Sequence, residues 1–461
     1  MYLIFFECFI LICLGLNTRA KDGIDLTAEE YCFCKLQGQI NDCNCDVDTV
    51  DSYNNVKIQP RLQTIVLKDY FKFFQVNLKQ SCPFWYDDFK CSMRYCSVEH
   101  CTEADIPDGL RAKKKYSSTL IKLDRHERDR ATSSDCTDED LGFLNTTISE
   151  TAKEEFALWQ AHDDAQDNFC TLPDEDGTSE YVDLTLNEER YTGYSGPSAH
   201  RIWMSIYTEN CFRPETSSNH YGVLIPSSHL QGMCLEKRVF YRVISGLHSS
   251  INIHLCAKYL LSDRNSISPW KSEAKWSMNV DEFRRRFSPE FTQSEGPVWL
   301  QNLYFVYLLE LKAIAKAAPY LEQELYYTGN LREDQETRSA IHDFLKVVKD
   351  FPAHFDETAM FTGGDEAAKL KDSFRSHFRN ISSIMDCVGC EKCKLWGKLQ
   401  IQGLGTALKI LFSGKFDQKP TLTPKTQQFH LKRGEIVALF NSITRLSSSI
   451  SHLETFRNLM R

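Results

Sequence analysis

What this 461-residue chain lacks narrows its function first. It has no excess of positive charge: 54 Lys and Arg against 63 Asp and Glu leave a net charge of −9. Nucleic acid is therefore not the expected partner, because phosphate contacts need clustered cations. The one basic run, Arg111 to Lys115, lies in a mixed-charge stretch and reads as a solvated loop. Beyond the N-terminus no apolar run approaches the roughly 20 residues that a membrane span requires. There is no haem motif, and Gly403-Leu404-Gly405 lacks the third glycine of a dinucleotide loop and sits in a helical pattern. The histidines are scattered, no Cys-X-X-Cys appears outside residues 387–393, and no metal is expected. Period-two alternation is scarce apart from Tyr181 to Leu186, and no internal repeat is present.

What is abundant is cysteine, 18 in all. Leu3 to Leu16 is apolar except for Glu7, and Thr18 and Ala20 place small residues where a signal peptidase cuts. Residues 1–20 are thus expected to be a signal peptide, taking Cys8 and Cys13 with them. The remaining cysteines enter an oxidising compartment, where disulfides persist. A hydrophobic content of 42% in so long a chain builds a core without staples, so some of the sulfurs are expected to serve chemistry. Asn145-Thr146-Thr147 and Asn380-Ile381-Ser382 are glycosylation sequons that suit the same compartment. The terminal Asn458-Leu459-Met460-Arg461 is not a retrieval signal, so retention is expected to depend on binding other resident proteins.

Helical periodicity dominates the second half of the chain. Val239, Val243, Leu247, Ile251 and Leu255 recur at i+4 within Leu235 to Leu261. Val280 to Phe287, Val298 to Ala317, Gln335 to Phe351, Asp365 to Ile384, Lys394 to Phe412 and Gly434 to Leu459 are further helix candidates. Pro60 to Gln80 is aromatic with helical spacing, residues 32–45 form a cysteine-stapled module, and the polar stretch from Cys91 to Cys136 is expected to be mobile. The fold class is mainly α, one domain over 21–461 with long polar loops.

Cys387-Val388-Gly389-Cys390-Glu391-Lys392-Cys393 runs directly into a helix candidate. Cys-X-X-Cys at a helix start suits redox work, because the helix dipole and unpaired amides stabilise a thiolate. Spacing alone leaves a metal site and a structural staple open for Cys390 and Cys393. Cys91 and Cys96, with four residues between them, read equally as a plain staple or as a looser pair that reaches outward to a protein thiol. Two dithiols need a terminal electron acceptor, and a flavin among helices would be held by Arg and an aromatic ring.

His377-Phe378-Arg379-Asn380-Ile381 through Cys387, Cys390 and Cys393 to Trp396-Gly397-Lys398-Leu399-Gln400 resembles the endoplasmic reticulum oxidoreductins, as do Arg190-Tyr191-Thr192-Gly193-Tyr194 and Ile244-Ser245-Gly246-Leu247-His248. The resemblance covers nearly the whole mature chain. It implies a helical bundle holding FAD, an inner pair Cys390–Cys393 beside the flavin and a shuttle pair Cys91–Cys96. It also implies FAD contacts from Arg190, Thr192, Trp203, Ser245, His248 and Arg286. Structural disulfides would be Cys82–Cys387, Cys211–Cys234 and a nest of Cys32–Cys45 and Cys34–Cys43. Cys101 and Cys136 would regulate by exchanging with Cys96 and Cys91, while Cys170 and Cys256 would be buried free thiols. The implied partners are protein disulfide isomerase and related thioredoxin-fold proteins, with oxygen as final acceptor and hydrogen peroxide as product. The protein would be a monomer in the lumen, at most peripherally attached to the membrane, with Trp270 as a candidate docking residue. One position departs: some animal members carry an Arg two residues after Gly296-Pro297, where this chain has Trp299. Arg284 and Arg285 are candidates to compensate.

Overall fold

The computed structural model describes residues 47–85, 96–111, 169, 179–189, 197–210, 235–261, 275–349, 364–413 and 430–460. The signal peptide, Cys32, Cys34, Cys43, Cys45, Cys91, Cys136, Asn145, Cys170, Arg190, Thr192, Cys211, Cys234 and Trp270 lie outside the described residues.

The longer described helices are α1 (Gln59–Val66), α2 (Pro197–Asn210), α3 (Leu235–Ala257), α4 (Val280–Phe287), α5 (Glu295–Leu321), α6 (Leu331–Val348), α7 (Gly364–Ile384), α8 (Glu391–Phe412) and α9 (Arg433–Met460), with shorter helical segments before α1, Val47–Tyr53 among them, and between some of the others. The bundle is organised around α5. From Leu303 to Leu309 every side chain is apolar or aromatic and buried. A helix apolar around its whole circumference has to be enclosed. It is enclosed by α3, α8 and α9, with α9 packing in turn on both α3 and α8, while α7 bridges α2 and α8. Asn caps start two of the helices: Asn279 accepts from the Glu282 amide at α4, and Asn330 from the Arg332 and Glu333 amides at α6.

Two glycines set how closely these helices cross. A Cβ on Gly246 of α3 would stand 2.1 Å from the Asn302 carbonyl oxygen of α5. One on Gly403 of α8 would stand 2.5 Å from the Ala438 carbonyl of α9. The latter glycine belongs to the pair that superficially resembled a nucleotide loop; its place is helix packing. Among the described residues no helix is long and apolar enough to cross a membrane.

Two expectations need correction. Pro60 to Gln80 is helical only through α1 and the turn Asp69–Lys72; Phe73–Val76 is a strand, β1. It pairs antiparallel with β2 (Glu180–Asp183), Phe73 opposite Asp183 and Val76 opposite Glu180. Aromatic and β-branched residues took the strand because a distant partner was available, which local periodicity does not register. Second, the stretch after Cys91 is not uniformly too polar to bury: Cys96, Val98, Ile106 and Leu110 are buried. Smaller shifts occur at helix ends. The long third helix stops at Ala257, where the short antiparallel pair β3 (Tyr259–Leu261) and β4 (Lys275–Ser277) begins.

Candidate active site

Cys390 is the N-cap of α8, with extended backbone angles, and its sulfur accepts from the Cys393 amide at 3.4 Å. The helix therefore begins inside the Cys-X-X-Cys rather than after it, and its first turn brings the two sulfurs together. Both are free thiols, 4% and 0% exposed, and the Cys393 thiol donates to the Cys390 sulfur at 2.8 Å. That hydrogen bond, joined by the Cys393 and Lys392 amides, holds Cys390 below the usual thiol range despite its burial. Cys393 is held well above it, by the same hydrogen bond, by burial and by the charges of Cys390 and Glu189. Of the two, Cys390 is therefore the thiol that gives up its proton more readily. Cys387, three residues earlier, is bonded to Cys82.

Cys96 packs against both thiols. It is disulfide-bonded, and Cys101 is free and half-buried, so this state does not contain a Cys96–Cys101 bond. The segment after Cys96 is pinned along its length. Its carbonyl accepts from the Lys392 amide at 2.9 Å, and the Val98 amide donates to Glu391 Oε2 at 3.0 Å. Glu99 exchanges two hydrogen bonds with the Asn187 side chain, His100 bridges to Val182, and the Cys101 amide donates to the Tyr181 carbonyl.

A buried polar network lies behind the dithiol. Arg445 of α9 forms a two-pronged ion pair with Glu189, at 2.7 and 2.9 Å, and donates to Gln400 of α8 at 2.7 Å. Gln400 also donates to Glu189, and Trp396 Nε1 donates to the Asn187 carbonyl at 2.7 Å. Residues 187–189, which lead into Arg190, are thus fastened to the helix that carries Cys393. Sequence reasoning missed Glu189, Gln400 and Arg445. No periodic signal marked Arg445: it falls off the apolar stripe of Ile443, Leu446 and Ile450, on a face it shares with Asn441, Ser442 and Ser449.

A second cluster joins α2, α3 and α4. Trp203 stacks on His248 with ring centroids 3.7 Å apart and planes 11° from parallel. The Tyr207 hydroxyl lies 3.2 Å from His248 Nδ1. Burial, seconded by the Arg286 guanidinium, pushes His248 well below the usual histidine range, so the ring is neutral. Arg286 donates to Asn252 at 2.6 Å and to Glu282 at 2.7 Å. The structure therefore brings Trp203, His248 and Arg286 together. Ser245 sits one turn from His248 but turns into the α3–α5 crossing, where it accepts from Asn302 at 3.0 Å. Arg284 and Arg285 pair with Asp281 and Glu282 of their own helix. Trp299 is buried, its indole N–H has no partner among the described residues, and its carbonyl accepts from Ser249, the neighbour of His248. Asn380 is half-buried in the interior of α7, a more restricted setting than a surface sequon.

Residues 57–453 match the family model described as Endoplasmic Reticulum Oxidoreductin 1 (ERO1). The chain is 53% identical to the Ero1-like protein of Drosophila melanogaster, across 98% of this chain and 97% of that one. It is 47% identical to human ERO1-like protein alpha, across 94% and 93%. Among solved structures it is similar to Ero1p, described there as a source of disulfide bonds for oxidative protein folding in the cell. That likeness has a TM-score of 0.58 and 25% identity over 90% of this chain and 98% of that one.

Proposed function

The chain belongs to the ERO1 family of endoplasmic reticulum oxidoreductins, and we propose that it is an FAD-dependent thiol oxidase of the lumen, making disulfides for oxidative protein folding. One observation carries the reading: a disulfide-bonded Cys96 packed on a buried, free Cys390–Cys393 dithiol. A metal or structural role would not explain why the third sulfur is already oxidised while resting on a reduced pair.

The described residues suit a flavin nucleotide. Trp203 and His248 offer a flat, neutral aromatic surface, Arg286 a cation for the pyrophosphate, and Trp299 a buried donor without a partner. By family resemblance Arg190, Thr192 and Ser245 would complete the set. When bound, FAD supplies a two-electron acceptor for the dithiol that oxygen regenerates, with hydrogen peroxide as product.

The rest is sulfur chemistry. A thiolate of reduced protein disulfide isomerase attacks the Cys91–Cys96 disulfide, and its second thiolate resolves the mixed disulfide, leaving the shuttle as a dithiol. A shuttle thiolate then attacks Cys390 in the oxidised inner pair, and Cys393 leaves as thiolate and takes a proton. The second shuttle thiolate closes the shuttle disulfide and expels Cys390. The hydrogen bonds that lower the Cys390 pKa make it a good leaving group in that last exchange. Cys101 and Cys136 would regulate by capturing Cys96 and Cys91. A cleaved signal peptide, a single domain over 21–461, a monomeric state and the remaining disulfides belong to the same reading.

Purified protein is expected to be yellow, with flavin absorption that bleaches when reduced isomerase is added without oxygen and returns with it. Colourless, active-site-intact protein that consumes no oxygen would remove the proposal.

A further inference from the structure

Glu391 lies between the two cysteines of the inner pair, and it is exposed. An exposed charge at the first position of a helix ordinarily serves the helix dipole. Here its Oε2 instead accepts the Val98 amide, two residues beyond Cys96. The next residue, Lys392, gives its amide to the Cys96 carbonyl. The two bonds form a clamp between residues 391–392 and 96–98, with the Cys96, Cys390 and Cys393 sulfurs packed on one another beside it. The main-chain bond exists whatever side chain stands at 391. The Glu391 bond depends on that side chain, and it fixes the direction in which the chain leaves Cys96.

We propose that Glu391 is a positioning residue for exchange between shuttle and inner pair: its carboxylate holds the Cys96 segment in register on the N-terminus of α8, so that a shuttle sulfur meets Cys390 in line. This rests on the shuttle reading above. Glu391 touches no reacting atom. Its negative charge also opposes the Cys390 thiolate, which makes its presence between the cysteines a cost unless it does something else. Exchange is in-line attack of one sulfur on another, so small losses of register translate into rate.

The test separates the acceptor from the charge. Glu391→Gln keeps an oxygen that accepts from Val98, and Glu391→Ala keeps neither oxygen nor charge. In the full-length, flavin-loaded protein, anaerobic flavin reduction by reduced isomerase is expected to slow roughly three- to tenfold in Glu391→Ala and by less than about twofold in Glu391→Gln. The same substitutions are then made in a Cys91→Ala/Cys96→Ala background, where a high concentration of dithiothreitol reduces the inner pair directly. There Glu391→Ala is expected to cause no loss of rate. Equal losses in both variants, or the same loss without the shuttle, would overturn the proposal and make Glu391 a local electrostatic influence on Cys390.

A second readout needs no turnover. In a Cys393→Ser background the Cys390 thiolate attacks the shuttle disulfide, a Cys390–shuttle bond forms, and the displaced shuttle thiolate is captured by alkylation. Peptide mapping is expected to find that crosslink reduced several-fold by Glu391→Ala, and an undiminished yield contradicts the clamp. If removing Cys91 and Cys96 leaves isomerase-driven reduction at its parent rate, the shuttle reading itself fails, and that outcome is distinct from failure of the clamp.

Discussion

Trp203 and His248 lie face to face, 3.7 Å between ring centroids, although they belong to different helices. A neutral, buried imidazole on a half-buried indole gives a flat aromatic surface where α2 meets α3, with the Arg286 charge close enough to be felt. Trp203→Ala removes that surface without touching the central α3–α5 crossing. Flavin retained after gel filtration is expected to fall at least about tenfold, given the value of about 0.5–1.5 kcal/mol for aromatic pairing beyond area burial together with the lost area. Far-ultraviolet dichroism should be unchanged. Full flavin content would mean that the cofactor does not use this surface.

Cys393→Ala is expected to abolish oxygen consumption driven by reduced isomerase while leaving the bound flavin in place. The thiol is fully buried and its removal leaves only a small cavity. Oxygen electrode traces and a visible spectrum of one preparation suffice, and residual parental activity would refute the assignment of the inner pair.

Arg445→Met leaves Glu189 as a buried carboxylate without its cation. Breaking one side of a buried pair costs about 3–5 kcal/mol, more than the pair itself contributes. Glu189→Gln strands Arg445 as a buried cation in turn, yet is expected to cost less than Arg445→Met, since the amide oxygen still accepts from Arg445 and Gln400. Urea titrations of the two variants check that ordering, and Arg445→Met is also expected to lose flavin, because residues 187–189 lead into Arg190.

Glu310, buried in α5, accepts from Ser442 with one oxygen, while the other has no partner among the described residues. Burial pushes its pKa up to about 8. A folded pKa above the unfolded value of about 4.3 means full stability at acid pH, lost as pH rises through about 8. Glu310→Gln is therefore expected to raise the urea midpoint at pH 8 and to leave it nearly unchanged at pH 5. The buried histidines, held neutral in the fold, act in the opposite sense but are common to both proteins. A variant equally stable at both pH values relative to parent would contradict the burial argument.

Free thiols outside the relay should be slow. Cys101 is raised to about 11, by burial and by the charges of Asp183 and Asp105, and Cys256 to about 12, chiefly by burial. At pH 8 Cys101 is expected to alkylate roughly a hundredfold more slowly than an ordinary exposed thiol. Fast labelling would mean that its regulatory exchange needs no activating rearrangement. Independently, Cys136→Ala is expected to raise activity and shorten any lag, as a freed shuttle would.

Much of this was legible in the chain. The i+4 apolar repeats placed α3, α4, α5, α6 and α8 to within a few residues, because each buries a broad stripe. The Cys-X-X-Cys at a helix start was legible as a candidate redox pair that spacing could not tell from a metal site or a staple, and the family resemblance supplied the Cys82–Cys387 pairing. What escaped were interactions whose partners lie far apart in sequence. Phe73–Val76 became a strand because of Glu180–Asp183, and Glu189 met Arg445 through the fold alone. Glu391 was invisible for another reason: an acidic residue at a helix start is so ordinary that nothing marks it as a contact to Val98.

The bond between Cys82 and Cys387 has a consequence beyond bracing. Cys387 stands three residues before Cys390, buried, in a helical turn leading to the same helix start. Were it free, it could close a rival disulfide with Cys390 and leave Cys393 without its partner, so that the inner pair of the proposed relay would not form. Occupying Cys387 permanently from a distant part of the chain leaves a run of three cysteines with a single outlet. The staple works as insulation around a wire.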